Sequence, residues 1–426
     1  MFTPAVAHRA VGLIVVISIL LMLIRPRNKP EVYWVGAGVG LLLAFRLIPL
    51  RLAARATAEG TDVYLFLIGM MLLSGLAREY GVFDWLSSAV VRRAHGSPAR
   101  LFLLVYLAGT LVTILLSNDA TAVVLTPAIL FAVRKARIDP LPYLFACALI
   151  ANAASFVLPI SNPANLVVFH DRMPPLPLWL VWFAFPSLLS ILATYLALRW
   201  VFRSRFAGPV NSAIEVPVLT QHGKLVIAGL LVTVAVLLVA SGLGWNLGLP
   251  TVLTALAVSG IASVTAKRNP LPLLGEVSWS TLALVAALFV MVDAVESIGA
   301  LHHTEGWLRA AASLGPAPGA LSTGFVVGVA NNVVNNLPLG LLAGNTLRAV
   351  HASGLLAAAV LIGVDLGPNL AVTGSLATIL WLIALRKEHL NVSFWDFFKV
   401  GVVAMPAALL LSLAGAVALQ VLFSFR

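Results

Sequence analysis

Cysteine is almost missing from this chain: one residue, Cys147, stands in the apolar run LPYLFACALI. A disulfide framework within the chain is therefore excluded, as is a multi-thiolate metal site. Charge is scarce too. Only 10% of the residues are Asp, Glu, Lys or Arg while 61% are hydrophobic, whereas a soluble domain is about a quarter charged. With a mean hydropathy of +1.02, the composition is that of a polytopic membrane protein. No Walker loop, zinc-protease helix or serine nucleophile elbow occurs, so ATP hydrolysis or peptide cleavage by this chain alone has no support. The net charge of +11 does not point to nucleic acid, because the basic residues cluster between apolar spans, as membrane orientation requires. Neither a cofactor nor a metal ion is expected.

What is present is a series of apolar spans, near 10–24, 31–50, 62–78, 141–169, 176–202, 223–243, 248–266, 278–298, 352–386 and 396–424. The first resembles a signal peptide but runs into Arg25-Pro26-Arg27 without a small-residue cleavage site, and reads as a retained helix. Two further segments, about 100–133 and 318–350, are interrupted at mid-length by polar clusters and read as re-entrant hairpins. Unwound backbone at membrane depth is tolerated only where protein or a water-filled cavity satisfies it.

The second half of the chain echoes the first. TDVYLFLIGMMLLSGLAREYGVFDWL (61–86) is similar to STLALVAALFVMVDAVESIGALHHTEGWL (280–308), SNDATAVVLTP to NNLPLGLLAG, and ANAASFVLPISNPANLVVF to GVDLGPNLAVTGSLATILW, with Asn118 falling on Asn336 and Asn162 on Gly374. The expected fold is an all-α polytopic membrane protein of two inverted repeats, 1–205 and 223–426, joined by a linker over 206–222. Each repeat holds five transmembrane helices and one re-entrant hairpin, with broken helices at the midplane; an odd number of crossings inverts the second copy. One face collects most of the basic residues, among them Arg25, Arg78, Arg92, Arg134, Lys135, Arg203, Arg386 and Lys387. That face is expected to be cytoplasmic, in a bacterial-type inner membrane, with both termini outside.

The candidate substrate site is the meeting of the hairpin tips with the broken spans, where half-helix ends face a small ligand. One hairpin offers Ser117, Asn118, Asp119 and Thr121; the other offers Asn331, Asn332, Asn335 and Asn336. The broken spans add Asn152, Ser155, Ser161, Asn162 and Asn165, then Asp365, Asn369, Thr373, Gly374 and Ser375. Asn, Ser and Thr both donate and accept hydrogen bonds. The competing reading is helix–helix hydrogen bonding by buried polar residues. A carboxylate at membrane depth is costly and marks a functional position by default, so Asp119 and Asp365 are the candidates for proton coupling. Asp293 and Glu296 lie near the end of their span and read as an interfacial or ion-paired couple. His302-His303 adjoins an amphipathic stretch, 301–315, that suits the membrane surface.

SNDATAVVLTP, SNPANLVVF, VNNLPLGLLAG and GVDLGPNLAVTGSLATILWL resemble the arsenite efflux pumps of the arsenical-pump membrane protein family. That family lies in an ion-transporter superfamily that also holds dicarboxylate transporters and sodium/proton antiporters. The resemblance implies export of trihydroxy arsenite and of antimonite, driven by inward proton movement, sometimes with a separate cytoplasmic ATPase subunit. It also implies substrate roles for Asn118, Asp119, Thr121, Asn162, Asn335, Asn336, Asp365, Thr373 and Ser375. One departure stands out: better-known pumps tend to carry an acid where this chain has Asn152, which shifts weight to Asp119 and Asp365. Within the superfamily, a fixed negative charge at Asp119 would repel a dianion, and none of the four motifs contains Lys or Arg. The site suits a cation, a proton or a neutral polyhydroxylated solute. Sodium/proton antiport and a membrane subunit that docks an ATPase remain the alternatives.

Overall fold

The computed structural model describes residues 4–170, 173–206 and 215–424. Part of the expected linker, 207–214, falls outside these residues, as do both chain ends. The described chain is all-α, with no strand. Nine of its helices are long and apolar enough to cross a membrane, from Ala5–Ile24 to Phe394–Leu422. Their large apolar side chains, such as Leu13, Leu107, Leu192, Leu231 and Leu253, are exposed on the outside of the bundle, as a hydrocarbon environment requires. This is a multi-pass membrane protein.

Other apolar helices are too short to cross alone. Leu141–Ala153 and Leu355–Leu366 rise about 1.5 Å per residue and reach only to mid-bilayer. Leu141–Ala153 is followed by irregular backbone and the short helix Pro163–Val168. Leu355–Leu366 is followed by two single turns, Gly367–Asn369 and Val372–Gly374, and then Leu376–Lys387. Two hairpins accompany these broken spans. Pro98–Leu115 returns through Asn118–Lys135, and Pro316–Val334 returns through Asn336–Ala349. Short amphipathic helices, Leu50–Glu59, Val82–Arg93 and Leu301–Ser313, run between the long ones; sequence periodicity had singled out only the last.

Packing fixes the broken spans tightly. The buried indole of Trp179 donates to Phe156 O at 3.1 Å, and that of Trp381 donates to Leu144 O at 3.1 Å. Helices Leu176–Val201 and Phe394–Ser424 lie against each other, joined by Ser412 Oγ donating to Pro186 O at 3.0 Å. The hairpin helix Pro316–Val334 crosses Leu355–Leu366 so closely that a Cβ on Gly363 would stand 2.6 Å from Gly324 O. Only glycine permits that approach.

Candidate functional site

The first hairpin tip is made by its own sequence. Leu116 leaves helical geometry, Ser117 is extended, and its Oγ accepts from Ala120 N at 3.2 Å to cap the return arm. Pro127 lacks an N–H, so the α-helical ladder cannot run through it. The chain adopts a π-turn over Thr121–Leu125, and Thr126 Oγ1 donates to the carbonyl of Thr121 at 2.9 Å. Thr121 itself faces Thr113, with hydroxyls 2.8 Å apart, and is fully buried. Its hydroxyl is therefore committed to the hairpin.

At the second tip Asn335 adopts φ +80 and ψ 151, a positive-φ extended conformation that residues with a side chain rarely take. Its Oδ1 accepts from Leu337 N at 3.4 Å and its Nδ2 donates to Thr373 O at 3.1 Å. Asn331 donates to the carbonyls of Gly363 and Val364. Asn332 donates to Gly367 O at 3.1 Å and accepts from Ala371 N at 3.0 Å, while Thr373 Oγ1 donates to Asn332 O at 2.9 Å. Gly374 packs beneath the same side chain, where a Cβ would lie 2.9 Å from Asn332 Oδ1. Asn331, Asn332 and Asn335 thus satisfy the backbone of the second broken span, and Thr373 in return satisfies the carbonyl of Asn332 on the hairpin.

Asn165 does the same for the first broken span, its Nδ2 lying within 3.3 Å of the carbonyls of Ser155, Leu158 and Pro159. Ser161 Oγ reaches Ile114 O at 3.2 Å. Asn162 caps Pro163–Val168 through Ala164 N at 3.0 Å, and Ser375 caps Leu376–Lys387 through Thr378 N at 3.2 Å. Asn162 and Ser375 each cap the half-helix that follows them.

The two broken spans cross at a fully buried polar centre. Asn152 Nδ2 donates to Asn369 Oδ1 at 2.9 Å, and Asn369 Nδ2 donates to Leu149 O at 3.0 Å. Asp365, with no exposed surface, accepts from Asn162 Nδ2 at 2.9 Å and lies 2.7 Å from Ser155 Oγ. Ser155 Oγ is also 2.7 Å from Asn152 O. A hydroxyl has one hydrogen, and here it faces two acceptors.

Asp119 is placed differently. Half-buried in the first turn of the return arm, its carboxylate makes no hydrogen bond or ion pair among the described residues. It lines a cavity of about 20 Å³ with Asn118, Asn162 and Asn336. Asn118 Oδ1 and Asn336 Oδ1 are buried without a donor. This cavity shares Leu67, Asp119, Pro163, Thr281 and Leu376 with a larger one of about 150 Å³, room for a solute about the size of benzene. The larger cavity runs past Ser117, Ser278 and Thr281 to the ion pair of Arg78 with Glu276. Of the expected residues, then, Ser117, Asn118, Asp119, Asn162 and Asn336 meet at open space. Thr121, Ser161, Asn165, Asn331, Thr373 and Ser375 serve the backbone. Sequence reading assigns Arg78 only to the basic face and gives no role to Thr281, near the start of an apolar span, or to Glu276, which ends the short turn Leu271–Glu276 between two spans.

Comparison with known proteins agrees with this architecture. Residues 5–364 match the CitMHS family, described as "Citrate transporter". The arsenical pump membrane protein of Escherichia coli (strain K12) is 28% identical over 386 residues, covering 84% of this chain and 86% of that one. Among solved structures, the YdaH transporter of Alcanivorax borkumensis aligns with a TM-score of 0.58 and 16% identity, over 88% of this chain and 87% of that one. MtrF of Neisseria gonorrhoeae aligns with a TM-score of 0.54 and 14% identity, over 89% and 84%. These last two likenesses are of fold. By the match of its sequence over most of its length, the chain belongs to the CitMHS family of membrane transporters.

Proposed function

We propose that this protein exports arsenite, and antimonite, from the cytoplasm in exchange for protons, by alternating access. The observation that carries this reading is the unpartnered carboxylate of Asp119 in a cavity lined by the neutral side-chain amides of Asn118, Asn162 and Asn336 and, among the described residues, by no basic residue. A free carboxylate acceptor beside amides that both donate and accept suits a neutral ligand that brings hydroxyls. Trihydroxy arsenite is neutral at physiological pH and brings three hydroxyls. A carboxylate ligand brings a charge that Asp119 repels. An acceptor left unmet in the interior costs about 1–3 kcal/mol, which a hydroxylated solute would recover and an anion would not. The relatives named arsenical pump membrane protein support the same substrate.

One observation favours the competing reading, an anion such as the citrate of the family description. Four half-helices begin around the site, at Asn118, Pro163, Asn336 and Leu376, and helix N-termini attract negative charge. Here, however, Ser117, Asn162 and Ser375 already accept from three of the free N–H groups. Asp119, in the first turn of its own half-helix, meets the remaining positive potential. The protein supplies its own anion, and a neutral solute fits best.

For the proton, Asp119 and Asp365 have separate roles. Asp119 exchanges its proton with the cavity as the solute enters and leaves. At Asp365, a protonated Oδ2 would donate a hydrogen bond to Ser155 Oγ, whose own hydroxyl then donates to Asn152 O, so that both 2.7 Å contacts are satisfied. The two-repeat organisation is part of the proposal. It is supported by equivalent caps at Ser117 and Asn335 on the hairpins, and at Asn162 and Ser375 on the broken spans. In this reading Arg78 and Glu276 lie at the cytoplasmic mouth, both termini lie outside, and the membrane is the bacterial inner membrane. Arsenite uptake into inverted vesicles under an imposed pH gradient, with and without sodium and without ATP, tests it. Gradient-driven uptake indifferent to sodium is expected. Sodium-dependent proton movement without an arsenite response would favour cation antiport, and a requirement for ATP would favour an ATPase-linked role.

A further inference from the structure

Among the described residues Arg78 is the one cation lining the cavities that contain Asp119, and it is paired with Glu276. The pair is held in place from several directions. A Cβ on Gly75 would overlap the Glu276 side chain, lying 2.6 Å from its Cβ, so glycine makes the room that Glu276 fills. The segment before the next long helix is tied down by Ser278 N donating to Met71 Sδ at 3.3 Å, and a second ion pair, Arg268 with Glu79, lies at the adjacent position at 3.2 Å. The Arg78 and Glu276 side chains are 53% and 27% exposed, and ion pairs this open to solvent add little to stability. Fold stability is therefore a poor reason for placing two opposite charges in the wall of a solute cavity. Cancellation of charge is a better one.

We infer that Glu276 is a specificity residue: by neutralising Arg78 it leaves Asp119 as the net charge of the vestibule and so bars compact anions. This deepens the neutral-solute reading above and rests on it. Without Glu276, the guanidinium would face the cavity with its donors free, and guanidinium groups are well suited to oxyanions. Like-charge exclusion would give way to a cation beside half-helix N-termini.

The test uses the purified full chain in nanodiscs with inorganic sulfate as the probe, binding being measured by calorimetry at low ionic strength. Glu276→Gln should bind sulfate at least tenfold more tightly than the wild type, and the double variant Arg78→Gln/Glu276→Gln should return to the wild-type value. Equally weak binding by wild type and Glu276→Gln would overturn the inference and leave the neutral-solute reading standing. Tightened binding that persists in the double variant would also overturn it, since Arg78 would then have no part. Tight sulfate binding by the wild type itself would instead contradict the neutral-solute reading. Should Glu276→Gln fail to fold, Gly75→Ala, which displaces the same carboxylate, is read by the same two comparisons.

Discussion

Asn162 donates its amide to Asp365 at 2.9 Å, joining two broken spans across 203 residues of sequence. The same carboxyl group meets Ser155 at 2.7 Å, so one buried acid ties both sides of the crossing. Asp365→Ala should therefore damage the fold. It leaves the buried Asn162 amide without its acceptor, at about 1–3 kcal/mol, while Ser155 Oγ keeps its bond to Asn152 O. Thermal unfolding of the purified protein should show a clearly lowered midpoint, and an unchanged midpoint would mean that the crossing is held by other contacts.

Asp119→Asn should behave in the opposite way. Its carboxylate braces nothing among the described residues, so the unfolding midpoint should stay close to that of the wild type. Proton-coupled uptake should be lost, because an amide cannot take up and release the proton. Comparing melting and transport on the same preparations separates this outcome from misfolding.

Asn118→Ala and Asn336→Ala remove side-chain amides that line the cavity and whose oxygens have no donor among the described residues. Each should weaken solute binding by roughly tenfold, the equivalent of about 1.4 kcal/mol, while leaving the fold intact. Asn331→Ala, by contrast, strips the carbonyls of Gly363 and Val364 of their donor and should lower stability more than affinity. Initial uptake rates across a range of arsenite concentrations, read beside melting curves, check both.

Close helix contact gives a prediction independent of transport. A Cβ on Gly367 would overlap Gly328 O and stand 2.7 Å from Asn331 Nδ2. Gly367→Ala should destabilise by about 1–3 kcal/mol through overpacking. The exposed pair of Arg134 with Glu388, at 2.9 Å, should by comparison contribute at most about 1 kcal/mol. Arg134→Gln should melt nearly as the wild type does.

Polarity contrast made the hairpins and broken spans legible in the sequence. Ser117, Asn118, Asp119 and the prolines near them stand out because their neighbours are apolar. The contrast says that a polar side chain is needed at a position, without saying what it meets. Asn165 and Asn118 look alike in sequence, yet Asn165 holds three carbonyls of its own loop with its amide nitrogen while Asn118 lines a cavity. Thr121 seemed part of the site and is occupied by Thr113 across the hairpin. Arg78 and Glu276 were invisible as a pair because 198 residues separate them and neither interrupts a hydrophobic run.

The most direct test of the central claim is arsenite uptake into inverted vesicles under an imposed pH gradient, wild type against Asp119→Asn. Uptake by the wild type that tracks the gradient, and its loss in Asp119→Asn, is the expected result. Gradient-driven uptake that survives in Asp119→Asn at the wild-type rate would contradict it.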